Sequence, residues 1–233
     1  MPKNYRYFDV ITAAFVATLL ISNLLSSAKI IDLGLRIGPI EMIFDAGTLV
    51  FPISYIFGDI LTEVYGYRNS RRVIWMGFFA SALLGFTVWI TAILPGYHEW
   101  EQSVGQTAYD AVLGGISGLI VASLAAYWLG EFSNSYVLAK MKIATRGRWL
   151  WTRTIGSTLV GQAADTITFF VLATALGVFP AVAIVSLIVT NYLLKLGVEI
   201  LFTPVTLRVV NALKRAENED VFDIDTQFNP FHL

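Results

Sequence analysis

RTIGSTLVGQAADTITFF, residues Arg153 to Phe170, is an apolar run of membrane length with Gln162 and Asp165 near its middle. A carboxylate at bilayer depth costs roughly 2.5 to 3.5 kcal/mol on insertion scales, and such a group normally faces the bundle interior or a watery cavity and has a partner. The partners expected for Asp165 lie in the last hydrophobic segment. There Asn191, Lys195 and Glu199 recur every four residues and so stack along one helix face. These two helices read as the walls of a polar pocket inside a membrane protein.

The rest of the chain agrees with a membrane setting. Of 233 residues, 56% are hydrophobic and 14% charged, with a mean hydropathy of +0.65, against roughly 25% charge in a soluble domain. The net charge of -1 carries little information, because the placement of lysine and arginine matters more. With no cysteine, disulfides, thiolate metal sites and cysteine nucleophiles are excluded. The two histidines, His98 and His232, do not suggest a metal site. No cofactor and no nucleic-acid partner are expected.

Apolar segments fall at about Asp9 to Ile31, Phe44 to Gly66, Val73 to Leu94, Val112 to Ala139, Thr154 to Leu176 and Ala181 to Val210. Each is long enough to cross ~30 Å of hydrocarbon as a helix. With the N-terminus inside, the inner connections gather Arg68, Arg71, Arg72, Lys140, Lys142, Arg146, Arg148 and Lys214, while the outer ones keep only Lys29 and Arg36. That asymmetry predicts an all-α integral membrane protein with six transmembrane helices and both termini cytoplasmic. The six-helix domain is expected over 1–215. The acidic remainder, 216–233, reads as a solvated cytoplasmic tail.

The second segment is interrupted by Gly47, Pro52 and Gly58, and broken helices are tolerated only where they face protein or a cavity. Asp59 and Glu63 lie four apart on one face, and are expected to form structural ion pairs with the nearby Arg71, Arg72 or Arg68. Asp45 and Tyr55 sit nearer the outer half, where they could line an entrance. In the fourth segment Gly114, Gly118, Ala122, Ala126 and Gly130 make a small-residue ladder, which suits close helix packing within the molecule and otherwise a homodimer face. Glu131 and Asn134 near its inner end are read like Asp59, as structural groups.

Gly115, Ile116, Ser117 and Gly118 spell the G-x-S-G of rhomboid-type intramembrane serine proteases. A serine nucleophile needs a base within hydrogen-bond reach, and the sixth segment has no histidine. A protease using Ser117 is therefore the weaker reading, and the motif is taken as helix packing. The constellation that survives is Gln162, Asp165, Asn191, Lys195 and Glu199, with Asn23 as a further candidate. Asp165 and Lys195 both fall near the midplane when counted at ~1.5 Å per residue. A salt bridge that merely locks two helices is the plain alternative. So many donors and acceptors together favour a binding site.

At these residues the chain resembles the queuosine precursor transporters of bacteria, a group of vitamin uptake transporters related in fold to substrate-binding subunits of energy-coupling factor transporters. The resemblance rests on Phe51, Pro52, Tyr55, Asp59, Glu63, Tyr65 and Gly66, then Arg71 and Arg72. It continues at Arg153, Ser157, Gly161, Gln162, Asp165, Thr166 and Phe169, then at Asn191, Tyr192 and Lys195, and ends at Phe228 to Phe231. It implies a multi-pass protein of the bacterial cytoplasmic (inner) membrane that imports 7-cyano-7-deazaguanine or its aminomethyl relative. A purine-like vitamin is the alternative cargo, and the partners implied are this small molecule and the lipid bilayer. A homodimer or an external energising subunit stays open. A guanine-like edge has two adjacent donors for a carboxylate, Asp165 or Glu199, and a carbonyl for Gln162, Asn191 or Lys195. Its flat face would stack on Tyr55, Phe169 or Tyr192.

Overall fold

The computed structural model describes residues 5–38, 40–177 and 179–232; Lys3 and the side chain of Ser117 lie outside that set. Helix α1 (Phe8–Ala28) leads into a hairpin of β1 (Ile30–Ile37) and β2 (Ile40–Asp45) and then a short 3-10 turn (Ala46–Leu49). Helices α2 (Phe51–Tyr65) and α3 (Tyr67–Ile93) follow, then the short α4 (His98–Ser103) and α5 (Gly105–Tyr109). A π-helical stretch, Asp110–Gly114, opens α6 (Gly115–Ala144). Helix α7 (Leu150–Ala175), a 3-10 turn (Ala181–Ala183) and α8 (Ile184–Glu217) complete the bundle.

Among the described residues, α1, α3, α7 and the stretch Ala181–Glu217 are long and apolar enough to cross a membrane. The distribution of side chains is that of a membrane protein. Asp59, Glu63, Glu131, Asn134, Arg153, Gln162 and Glu199 are buried, whereas Phe79, Leu83, Phe86, Val160, Ile167 and Leu201 are exposed. In water that arrangement would be costly on both counts, whereas in lipid the apolar exterior is solvated and the charges are sheltered.

Two details depart from a purely helical reading. The antiparallel hairpin pairs Ile30 with Asp45 and Ile37 with Ile40, and it takes residues from both flanking apolar segments. Helix α2 is consequently only 15 residues long. Asp45 ends the hairpin and caps the following turn, accepting from the Thr48 N–H at 3.2 Å. Pro52 falls in the first turn of α2, where its missing N–H breaks no helical bond. The expected interruption at Pro52 is thus a helix start.

The beginnings of α1, α3 and α7 and the ends of α2, α6 and α8 converge at one end of the bundle. Glu217 at the end of α8 accepts from the N–H groups of Arg6 (3.0 Å) and Tyr7 (2.8 Å) and from the Tyr65 hydroxyl (3.0 Å). The segment after α8, expected to be a solvated tail, keeps most of its described residues at least partly exposed and is also tied down here. Asp223 accepts from the Tyr67 N–H at 3.0 and 3.1 Å, capping the start of α3. Arg71 donates to the carbonyls of Gln227 (2.8 Å) and Asn229 (2.7 Å), and the Trp75 indole to that of Pro230 (2.9 Å). The Phe228 ring packs on Tyr67 and Tyr136 under the Lys140 ammonium. An acidic composition hid an aromatic, hydrogen-bonded strap. Gly66, at φ +81°, makes the α2–α3 corner that the strap covers: a Cβ there would meet Val221 at 2.6 Å.

The small-residue ladder serves packing within the molecule. Ala122 and Ala126 are buried, and Gly130 meets Gly161 of α7 so closely that a Cβ on Gly161 would lie 3.0 Å from the Gly130 carbonyl oxygen.

Candidate functional site

A polar cleft opens where the capped turn meets the bundle. Its walls come from Asn23 and Ser26 of α1, Asp45, Gly47 and Thr48 of the turn, Phe51 of α2, Ser123 and Ala126 of α6, Asp165 and Phe169 of α7, and Lys195 of α8. A second recess shares Asn23, Ser26, Ser123 and Phe169 with it and extends to Ser27, Ser81 and Tyr127.

Lys195 shares the cavity lining with two carboxyl groups, Asp45 and Asp165. Its Nζ lies 2.9 Å from Asp165 Oδ2 and 4.2 Å from the centre of the Phe51 ring, so one ammonium joins α8, α7 and α2. Asp165 can lie this deep because Gly130 faces it: a Cβ there would approach the Asp165 Cβ to 2.7 Å. Opposite, Asp45 accepts from the Ser26 hydroxyl at 2.6 Å. The Thr48 hydroxyl lies 2.9 Å from Asp45 Oδ2 and 2.6 Å from Asn191 Oδ1, and donates its single proton to one of them. Asn23 ties the third wall, donating to Ser81 and accepting from Ser123, each at 3.2 Å.

Of the residues expected to bind substrate, Asn23, Asp165, Phe169 and Lys195 line this cavity together. Asn191 lies behind the lining, held by Thr48 and by a bond from its Nδ2 to the Leu187 carbonyl at 2.8 Å. Tyr55, Gln162 and Glu199 are buried outside the cavity lining. Glu199 accepts from Thr158 at 3.1 Å instead of sharing Lys195. Tyr192 sits half-buried on the α7–α8 flank, its hydroxyl donating to the Leu159 carbonyl. The periodicity of α8 put Asn191, Lys195 and Glu199 on one face correctly, but their depths differ by a helical turn each. Ser26, Thr48, Phe51 and Ser123 escaped the sequence-based site. Asp45 followed three residues later by Thr48, a turn-capping pattern, was the available signal.

The ion pairs at the converging helix ends also differ from expectation. Glu63 Oε1 meets Arg153 at 2.7 Å, Lys214 at 2.6 Å and Lys142 at 3.3 Å, in place of Arg71 or Arg72. Asp59, four residues earlier, accepts from Asn134 at 2.8 Å. Arg71 is spent on the strap carbonyls and Arg72 is exposed. Lysines and arginines distant in sequence reach Glu63 because three helix ends meet around it. Asp220 closes the cluster, 2.7 Å from Lys142 and 2.8 Å from Lys214. Burial works against its ionisation, but the hydrogen bonds from both ammonium groups outweigh it and hold the carboxyl below the usual carboxylate range.

A multi-pass helical membrane protein with a cleft among its helices lined by charged groups has the architecture of a small-molecule transporter. The family model described as "Putative vitamin uptake transporter" matches residues 45–209, and the chain belongs to that family. Among its relatives, a protein of Bacillus subtilis (strain 168) named "Probable queuosine precursor transporter" is 30% identical over 68% of each chain. One of the same name from Haemophilus influenzae is 26% identical over 72% of this chain and 69% of its own. The "Queuosine precursor transporter" of Escherichia coli (strain K12) is 26% identical over 54% of this chain and 53% of its own. No solved structure matches the chain at a significant level. The relatives are transporters, which are not enzymes.

Proposed function

We propose that this chain imports a queuosine precursor, 7-cyano-7-deazaguanine or its aminomethyl relative, across the bacterial cytoplasmic membrane, and that the cavity around Asp165 and Lys195 holds it. The observation that carries this reading is the buried Asp165–Lys195 pair on the cavity wall beside two aromatic rings. A carboxylate accepts the paired donors of a guanine-like edge, an ammonium meets its carbonyl, and Phe169 or Phe51 offers a stacking face. Asp165 is thus the acceptor of choice over Glu199, which lies outside the lining.

Six spans with both ends of the chain inside fit the convergence of six helix ends at one arginine- and lysine-rich end. Cysteines placed at Ser103 in the α4 loop and at the exposed Arg72 test this: an impermeant reagent added to intact cells labels the first and spares the second. Labelling at Arg72 alone reverses the topology.

The substrate is tested by thermal denaturation of the purified protein with deazaguanines, purines and common vitamins. A ligand at 100 times its Kd stabilises by ~2.7 kcal/mol. A shift with 7-cyano- or 7-aminomethyl-7-deazaguanine and none with guanine or vitamins is expected, and a shift with a vitamin alone contradicts the assignment.

A further inference from the structure

Outside the cavity lining lies a second set of acids. Glu131 of α6 is fully buried, and neither of its carboxylate oxygens has a hydrogen-bond partner. Asp59 accepts from Asn134 through one oxygen and leaves the other unpartnered; Glu199 does the same with Thr158. The neutral Tyr55 hydroxyl is also fully buried and unpartnered. It reaches α6 one residue from Glu131, since a Cβ on Gly130 would come within 2.5 Å of it. Glu131 in turn rests on Gly58, next to Asp59: a Cβ there would lie 2.9 Å from Glu131 Oε2.

The titratable groups that face Glu131 are Tyr55 and Asp59 from α2, Asp165 from α7, Glu199 from α8 and Tyr127 from its own helix. The available cations are committed elsewhere. Lys195 is bonded to Asp165, and Arg153, Lys142 and Lys214 converge on Glu63. Ionised carboxylates with no hydrogen bond are strongly disfavoured in a membrane interior, so these oxygens call for a positive ligand. Among the described residues no group of three histidines or carboxylates gathers to hold a metal ion, whereas a proton needs a single carboxylate oxygen. The set also has direction. Glu131 interacts electrostatically with Asp165 on the cavity side and with Asp59 on the other, and Asp59 with Glu63 at the converging helix ends.

We propose that Glu131 and Asp59, flanked by Tyr55 and Glu199, form a proton path from the substrate cavity to the ion cluster at Glu63, and that inward proton flow drives uptake. One proton enters Glu131 from the cavity as Glu131 passes its own to Asp59, and Asp59 releases its own by way of the Glu63 cluster to water at the inner end. Each carboxyl gives up one proton as it takes the next, so the path returns to its starting state with one positive charge moved inward per cycle. The inference rests on the reading of the chain as an importer of a deazaguanine.

The test uses the full chain in proteoliposomes, with labelled 7-cyano-7-deazaguanine and an imposed proton gradient, acid outside. Wild type is expected to accumulate substrate several-fold over a vesicle without a gradient, and to lose this on adding a protonophore. Glu131→Gln and Asp59→Asn are expected to keep the wild-type Kd within about twofold and to exchange internal for external substrate, but to lose gradient-driven accumulation. Exchange by the variants also reports that they are folded. Accumulation by Glu131→Gln equal to wild type, indifference of wild type to the proton gradient, or accumulation driven by a sodium gradient alone each overturns the proposal. Failure of wild type to bind the deazaguanine overturns the substrate reading, and the proton path with it.

Discussion

Lys195 and Asp165 meet at 2.9 Å between α8 and α7, helices adjacent in sequence, each side chain about nine-tenths buried. Removing one partner of such a pair leaves an uncompensated charge, at a cost of about 3–5 kcal/mol, whereas removing both is often tolerated. Lys195→Met therefore lowers the thermal midpoint markedly, and Asp165→Asn combined with it recovers much of the loss. Thermal unfolding of the two single variants and the double variant measures the coupling. Additive effects would show that the pair contributes no mutual energy.

Gly130 is the position at which packing and site depend most directly on each other. A Cβ there would meet the Tyr55 hydroxyl at 2.5 Å, the Asp165 Cβ at 2.7 Å and the Gly161 carbonyl at 3.2 Å. Two of these neighbours belong to a helix rather than to a flexible tip, so Gly130→Ala pushes α6 and α7 apart. Overpacking of this kind costs about 1–3 kcal/mol. The variant is expected to unfold at lower temperature and to bind substrate more weakly, because Asp165 moves with α7. A variant with both properties unchanged would mean that the interface is looser than its geometry.

The Asp220 contacts give a pH dependence of definite sign. Its folded pKa lies below the unfolded value of about 3.9. Its contribution is therefore present above that pH and lost as pH falls through the folded value. The carboxyl is about half exposed (48%), so the effect is small, below about 1 kcal/mol. Asp220→Asn should lower the thermal midpoint slightly at pH 6, and the gap to wild type should close in strong acid. A gap that persists once the carboxyl is fully protonated would assign the effect to packing.

The sequence carried the membrane class and one wall of the site for physical reasons that apply to few soluble proteins. A carboxylate within an apolar run has almost no purpose except inside a bundle, so a pair between Asp165 and Lys195 is readable from the sequence alone. Depth along a helix was harder to read. Four-residue spacing fixes a face, but it does not say which of Asn191, Lys195 and Glu199 reaches the opening, and here only Lys195 does. The wall made by Ser26, Asp45 and Thr48 depends on a hairpin whose strands sit inside apolar runs, where helix and strand patterns are indistinguishable. The pairing of Glu63 with Arg153, Lys142 and Lys214 depends on three helix ends meeting, which local spacing does not encode. The strap was hidden for the opposite reason: its hydrogen bonds use the backbone carbonyls of Gln227, Asn229 and Pro230, which are blind to side-chain composition.

The account stands on Asp165 as the acceptor for the substrate's paired donors, and calorimetry of 7-cyano-7-deazaguanine binding to Asp165→Asn tests it directly. An amide keeps the shape of the carboxylate but offers one acceptor and one donor, so it meets the ligand edge with a mismatch. Binding at least about tenfold weaker than wild type, ~1.4 kcal/mol, is expected in a protein that still inserts and folds, while Glu199→Gln binds as wild type. Unchanged affinity in Asp165→Asn, with affinity lost in Glu199→Gln, would contradict the assignment and move the site deeper into the bundle.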